Sequence, residues 1–263
     1  MKYSNPVRRK IAEGGVILCA MQRLPNPSAT EIMAMSGIDM ICIDNEHYPF
    51  SVNTVERIAR AAHIHGASVF MRVPGDDPAR IAQMMDCGLQ GIKVPHVESR
   101  AQAQAIVDAV KYAPMGTRGF CPITRAAAYG LDLPPDEYTE DANQDTLVAI
   151  MVETKTGLEH LDEILTVSGV DIIAIGPSDV AASYGLPGQA DHPVVRAAIE
   201  EGQRKIIHSG KLLCALAKNG EDVKQGMARG VRMFQVGSEL QMLSGQLTAL
   251  LRTIEGSIED YEK

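Results

Sequence analysis

Short apolar runs recur along the chain, separated by longer stretches with helical periodicity. The runs cover 16–20, 40–43, 68–72, 91–94, 147–152, 171–175, 212–216 and 232–236, eight in all. Each has the length of a buried strand and is followed by polar or turn residues. Helical periodicity fills most of the intervals. One segment opens at Ser28, where Ser28-Ala29-Thr30-Glu31 reads as a capping box. Others cover about 51–65, 77–87, 99–111, 157–165, 193–209, 220–229 and 239–255. Strands alternating with helices predict βαβ units and a parallel sheet. Eight such units within residues 1–263 predict an α/β fold of one domain, a (β/α)8 TIM-type barrel, which typically takes about 250 residues.

Two segments stand out from the rhythm. Residues 113–146 are rich in Pro and Gly, with Pro114-Met115-Gly116-Thr117-Arg118-Gly119, Cys121-Pro122 and Leu133-Pro134-Pro135. The segment is read as following the fourth strand, and a long stretch of this kind serves as a rim or lid beside the site or as a passive connection, the position favouring the rim. The last helical segment carries an apolar stripe of Leu240, Met242, Leu243, Leu247, Leu250 and Leu251. That stripe packs either on its own barrel or on a neighbouring subunit; the pattern allows both.

Composition narrows the function. Net charge is -8, so no basic excess exists to offset the phosphates of a nucleic acid or an anionic membrane. An anionic substrate needs a local positive site. Cys19, Cys42, Cys87, Cys121 and Cys214 are far apart, with no CxxC, and read as reduced, mostly buried thiols of a cytoplasmic protein. The residues from Met1 to Pro6 show no signal-peptide pattern, and no apolar stretch approaches the ~20 residues of a membrane span. Thirteen methionines and no tryptophan imply an aliphatic core with Met as packing filler.

Charged and imidazole side chains sit where strands end. Asp44, Glu46 and His47 follow 40–43; Arg72 ends 68–72; Glu153 follows 147–152; Asp179 follows 171–175 and the turn Gly176-Pro177-Ser178. In a parallel barrel those ends form the active-site face. Glu153 and Asp179 then lie at equivalent positions of successive strands, as two oxygen ligands of a hard divalent cation or as separate structural acids. Gly176-Pro177-Ser178-Asp179 reads as a helix start able to receive an anion, or as a plain turn. Arg72 binds an anion or pairs with a rim acid. Asp44 and His47 read as a dyad in which the carboxylate orients an imidazole base, or His47 as a surface residue. His96 is a secondary candidate, whereas His63 and His65 read as structural. Lys93 interrupts the fourth strand. It is either a Schiff-base lysine or a lysine whose stem packs while its amine reaches a carboxylate.

In order and spacing, Ile43-Asp44-Asn45-Glu46-His47, Arg72-Val73-Pro74, Val94-Pro95, Pro114 to Gly119, Val152-Glu153-Thr154 and Ile175 to Asp179 resemble the HpcH/HpaI family. These are metal-dependent pyruvate aldolases, among them the 4-hydroxy-2-oxoheptanedioate and 2-dehydro-3-deoxyglucarate aldolases. The resemblance runs from about Gly37 to Gly237. It implies a modified (β/α)8 barrel whose last helix is swapped between subunits, usually in a hexamer. It implies Glu153 and Asp179 as ligands of Mg2+, Mn2+ or Co2+, with pyruvate chelating the ion and resting its carboxylate on Gly176, Pro177, Ser178 and Asp179. It gives Arg72 the enolate oxygen and His47, oriented by Asp44, the proton transfer. Two positions depart from the family pattern: Asn45 replaces a glycine, and Met151 a glutamine two residues before Glu153.

The expected activity is that of a class II aldolase (a lyase of sugar-acid or aromatic-acid catabolism) cleaving a 4-hydroxy-2-oxo acid to pyruvate and an aldehyde. The alternatives are a Schiff-base aldolase using Lys93, an acyl-CoA or citryl lyase, and a non-catalytic 2-oxo-acid binding protein.

Overall fold

The computed structural model describes residues 5–261; Met1 to Ser4, part of the N-terminal segment read above, lie outside them. Eight parallel strands close into a barrel in sequence order, β8 pairing with β1. They are β1 Ile17–Gln22, β2 Met40–Asp44, β3 Ser68–Arg72, β4 Gly91–Val94, β5 Leu147–Val152, β6 Ile172–Ile175, β7 Leu212–Leu216 and β8 Met233–Ser238. All eight expected strands are present, with ends within two residues of the apolar runs.

Strand alternation sorts side chains into two cores. Ile41, Ile43, Val69, Met71, Ile92, Val94, Val148 and Ile150 face the surrounding helices. Cys19, Met21, Met40, Cys42, Phe70, Leu147, Ala149, Ala174, Cys214 and Met233 fill the barrel interior. Gly91 is required there: a Cβ would enter the Phe70 ring and the Leu147 carbonyl.

Helix α1 Pro6–Ala12 closes the end of the barrel where the strands begin, with Val7 in the interior core; the other helices are α2 Pro27–Met35, α3 Val52–Ile64, α4 Pro78–Asp86, α5 Arg100–Val110, α6 Pro135–Asp145, α7 Lys155–Glu159, α8 Leu161–Leu165, α9 Pro177–Ser183, α10 Pro193–His208, α11 Gly220–Ala228 and α12 Glu239–Tyr261. Ser51, Asp77, Ser99 and Asn219 cap α3, α4, α5 and α11 by accepting first-turn N–H groups. The capping box at Ser28 does not form. Asn26 caps α2 instead, accepting from Ser28 N at 2.9 Å, because Pro27 occupies the first helical position. The segment expected as one helix over 157–165 is two short helices broken at His160, whose ring meets the Glu98 carbonyl at 2.9 Å.

Residues 113–146 are not a rim loop. The segment follows α5, not β4, and contains α6. Ala126 N donates to Asp86 O at 3.3 Å, and Arg125 donates to Cys87 O at 2.8 Å. Lys111 Nζ holds the Asn143 and Thr146 carbonyls just before β5. These contacts fix it at the end of the barrel where β4 and β5 begin, opposite the charged strand ends.

The helix α12 buries none of its residues. Leu243, Leu247, Leu250 and Leu251 are each at least half exposed. Its stripe therefore does not pack on its own barrel. Among the described residues, no helix is long and apolar enough to cross a membrane.

Candidate active site

The barrel register brings the charged strand ends together. Asp44 pairs with Arg72 across β2 and β3, and Arg72 with Lys93 across β3 and β4. All three project inward. Asp44 is fully buried and accepts from Arg72 Nε at 3.1 Å and Nη2 at 2.8 Å. Arg23 Nε reaches the same carboxylate at 3.4 Å. Arg72 also lies 3.1 Å from Glu46 Oε2. Burial works against the Arg72 charge, but the hydrogen bond and charge of Asp44 outweigh it and raise its pKa above the ordinary value.

Glu153 follows β5, is 1% exposed, and contacts no Lys or Arg among the described residues. Burial raises its pKa, and the nearby Asp179 and Glu46 charges add to the rise, against a 3.0 Å hydrogen bond from His96 N. Asp179 stands in the first turn of α9. The two acids meet at Gly176: a Cβ there would lie 2.5 Å from Glu153 Oε2 and 3.4 Å from Asp179 Oδ2. Glycine there leaves the Glu153 oxygen its place, with Asp179 Oδ2 at ordinary contact distance. A buried carboxylate with no Lys or Arg beside it, only the His96 ring at 3.4 Å, and with a second carboxylate nearby has the chemistry of a divalent cation site. Among the described residues no group of three or more His, Cys, Asp or Glu is arranged to hold a metal ion. The remaining ligand positions of a cation there would fall to substrate and water.

The pocket above these residues encloses about 590 Å3, part of it open to solvent. Arg23, Arg72, Lys93, Met151, Asp179 and Gln235 are among the residues that line it. Met151 thus faces the substrate space, where an amide would have offered polar contacts. Asn45 is not among the residues with positive φ, so this loop does not need the conformational freedom of glycine.

The expected Asp44–His47 dyad is not formed. Asp44 is taken by Arg72 and Arg23, and it meets only the backbone N of His47, at 3.4 Å. The His47 ring is 59% exposed and lies 3.6 Å from Glu46 Oε2. His96 is more central than its sequence rank suggested. Its ring spans Glu46 at 3.3 Å and Glu153 at 3.4 Å, with φ at 55°. Among the described residues the Lys93 amine reaches no carboxylate; it donates to Gln235 Oε1 at 3.2 Å. His63 is structural as expected, held between Gln90 and Arg125 away from the site.

Sequence reasoning passed over Arg23 and Glu239. Arg23 follows a strand that runs two residues beyond its apolar pattern, and Glu239 Oε1 accepts both Arg23 N and Leu24 N. A polar pair, Gln22-Arg23, directly after an apolar run was the available signal.

The conserved pattern of HpcH/HpaI aldolase/citrate lyase matches residues 22–245. The chain belongs to the HpcH/HpaI family. It is 35% identical over 246 residues to a pyruvate aldolase of Rhizobium etli, covering 94% of this chain and 96% of that protein. It is 34% identical over 246 residues to the 2-keto-3-deoxy-L-rhamnonate aldolase of Escherichia coli, covering 93% and 91%. The crystal structure of an HpcH/HpaI aldolase from Desulfitobacterium hafniense superimposes with a TM-score of 0.89 at 25% identity, covering 95% of this chain and 96% of the other. The HpcH/HpaI fold is thus shared over almost the whole barrel.

Proposed function

We propose that this chain is a divalent-metal-dependent class II pyruvate aldolase. It cleaves a 4-hydroxy-2-oxo acid to pyruvate and an aldehyde and runs the addition in reverse. The observation that carries this reading is the convergence of Glu153 and Asp179 on Gly176, beside a fixed Arg72. The pyruvate and 2-oxo sugar-acid aldolases among its relatives support it.

Glu153 and Asp179 would hold the ion. When bound, Mg2+, Mn2+ or Co2+ supplies Lewis-acid polarisation of the 2-oxo acid. The turn Gly176-Pro177-Ser178-Asp179 receives the substrate carboxylate, with the free N–H groups of Ser178 and Asp179 at the start of α9 as donors. Arg72, locked by Asp44, presents its guanidinium to the oxygen that becomes the enolate and needs no reorganisation as charge develops. His47, braced by Glu46, takes the proton of the 4-hydroxyl. The bond between carbons three and four then breaks toward the enolate, and a proton returned to carbon three completes pyruvate. The chain acts as one domain in the cytoplasm, in a homo-oligomer (a hexamer) whose subunits exchange α12.

Deuterium exchange into the pyruvate methyl group, followed by NMR, tests this chemistry. Exchange that requires Mg2+ or Mn2+ and disappears in Glu153→Ala is the expected result. Absence of exchange with any of these metals overturns the reading.

A further inference from the structure

Lys93 is 5% exposed and, among the described residues, has no carboxylate partner in hydrogen-bond reach. An ammonium out of water needs a counter-charge, or it gives up its proton. Among the described residues, the titratable groups that act on it most strongly are three thiols and one cation, Cys214 from β7, Cys42 from β2, Cys19 from β1 and Arg72 from β3, while Arg23 and Asp179 line the same pocket. Two of the thiols are in contact, with Cys19 Sγ 3.8 Å from Cys214 Sγ. Of the three, Cys214 also lines the pocket, beside Lys93 and Gln235.

The pair is not a disulfide in waiting. Cys19 is in register with Gln235 and Cys214 with Met233, so β8 lies between their strands. Two strand spacings come to roughly 9 Å, beyond the roughly 7 Å limit between the Cα atoms of a disulfide. The contact serves instead as a hydrogen bond from one thiol to the other. With Lys93 nearby, the sulfur on the pocket side is the one that gains from bearing charge.

We propose that Cys214 is a nucleophilic thiolate in the floor of the substrate pocket, sustained by Lys93 and by a hydrogen bond from Cys19, and that it is a modification site for small carbon electrophiles entering the pocket. The hydrogen bond from Cys19 brings the Cys214 thiol down to about 7 against the opposing effect of burial, with the Lys93 charge assisting. The same bond, with burial, raises the donor Cys19, and burial pushes Cys42 up to about 11. Burial works against the Lys93 charge, yet the three sulfurs hold its pKa above the ordinary value. In the modification the sulfur lone pair forms the new S–C bond, the bond from that carbon to its halide breaks, and the halide leaves with the electrons. No oxidant takes part.

Iodoacetamide labelling of the full-length, Mn2+-loaded protein between pH 5.5 and 9.5, read by peptide mass spectrometry, tests the proposal. Exposed Cys121 serves as the internal reference in every sample. Cys214 should label with a midpoint near pH 7. Lys93→Met should move that midpoint up by about one pH unit, an approximately tenfold slower reaction at pH 7, and Lys93→Arg should restore part of the shift. Cys19→Ala, which leaves the lysine in place, should move it in the same direction. Saturating pyruvate should slow labelling at Cys214 and not at Cys121. This last arm rests on the aldolase reading; the pH midpoints do not, so the two readings fail separately. A Cys214 that labels only after denaturation overturns the proposal, as does a midpoint that neither variant moves. Borohydride trapping of pyruvate on Lys93 also overturns it, because it requires the free amine.

Discussion

Arg72 and Asp44 face each other across adjacent strands, and two hydrogen bonds of 3.1 and 2.8 Å join guanidinium to carboxylate. Asp44 thus orients the Arg72 guanidinium, not the imidazole of His47 three residues on.

Arg72→Lys keeps the charge and loses the fork. The expected result is a folded protein whose kcat for retro-aldol cleavage falls about 10²–10³-fold, the cost of one preorganised donor at a developing oxyanion. Asp44→Ala leaves Arg72 partly buried without its main partner and should cost about 3–5 kcal/mol of stability in urea titrations. If Arg72→Lys left kcat intact, the guanidinium would have no role at the enolate oxygen.

Gly176→Ala tests the convergence of the two acids without touching either. Its methyl group would enter the space of Glu153 Oε2, with Asp179 Oδ2 only at ordinary contact distance. Mn2+ affinity, followed by electron paramagnetic resonance or calorimetry, should fall about 10–100-fold, as for other disturbances around a metal ligand, while the melting transition stays cooperative. Unchanged Mn2+ affinity would move the cation away from this pair.

His63 gives the fold a dependence on pH. Burial, with Arg125 nearby, lowers its pKa to about 4 from 6.5, against a hydrogen bond with Gln90. Between pH 6.5 and 4 the unfolded chain binds the proton that the folded chain refuses. This contribution to stability is complete above pH 6.5 and is lost as pH falls through that window. At pH 5 the loss is about 2 kcal/mol. Urea midpoints at pH 7.5 and 5.0 should therefore differ in the wild type, and the difference should shrink in His63→Gln. An equal slope in both proteins would remove His63 as its source.

The barrel was legible because eight apolar runs with helical segments between them permit few other folds, and β3, β4, β5 and β7 end where their runs end. Glu153, Asp179 and Arg72 were legible for the same reason: a charge at a strand end of a parallel barrel has only the active-site face to occupy. The partner of Asp44 was not legible. Sequence proximity favoured His47, whereas strand register favoured Arg72, and register prevails because both side chains point into the barrel. The place of residues 113–146 was missed because the segment follows α5, and a connection after a helix returns to the end where strands begin. The placement of Lys93 among three thiols was invisible, since Cys19, Cys42 and Cys214 are scattered in sequence and come together only when the barrel closes.

The exposed stripe of α12 makes the last prediction. Leu243, Leu247, Leu250, Leu251, Ile254 and Ile258 are each 45–56% exposed on a helix that buries no residue. An apolar stripe of this extent on a free helix would cost solubility and marks an association surface. Fully burying one such side chain contributes about 1.5–3 kcal/mol, so the stripe suffices for a stable assembly. If the chain assembles as proposed above, Leu247→Glu together with Leu251→Glu should give monomers in light scattering coupled to size exclusion, while the far-ultraviolet circular dichroism of the barrel persists. Because α12 follows directly on β8, and Glu239 at its start binds the backbone of Arg23, the monomer should also lose catalytic efficiency. A wild-type chain that is monomeric at micromolar concentration would overturn the exchange of α12 between subunits.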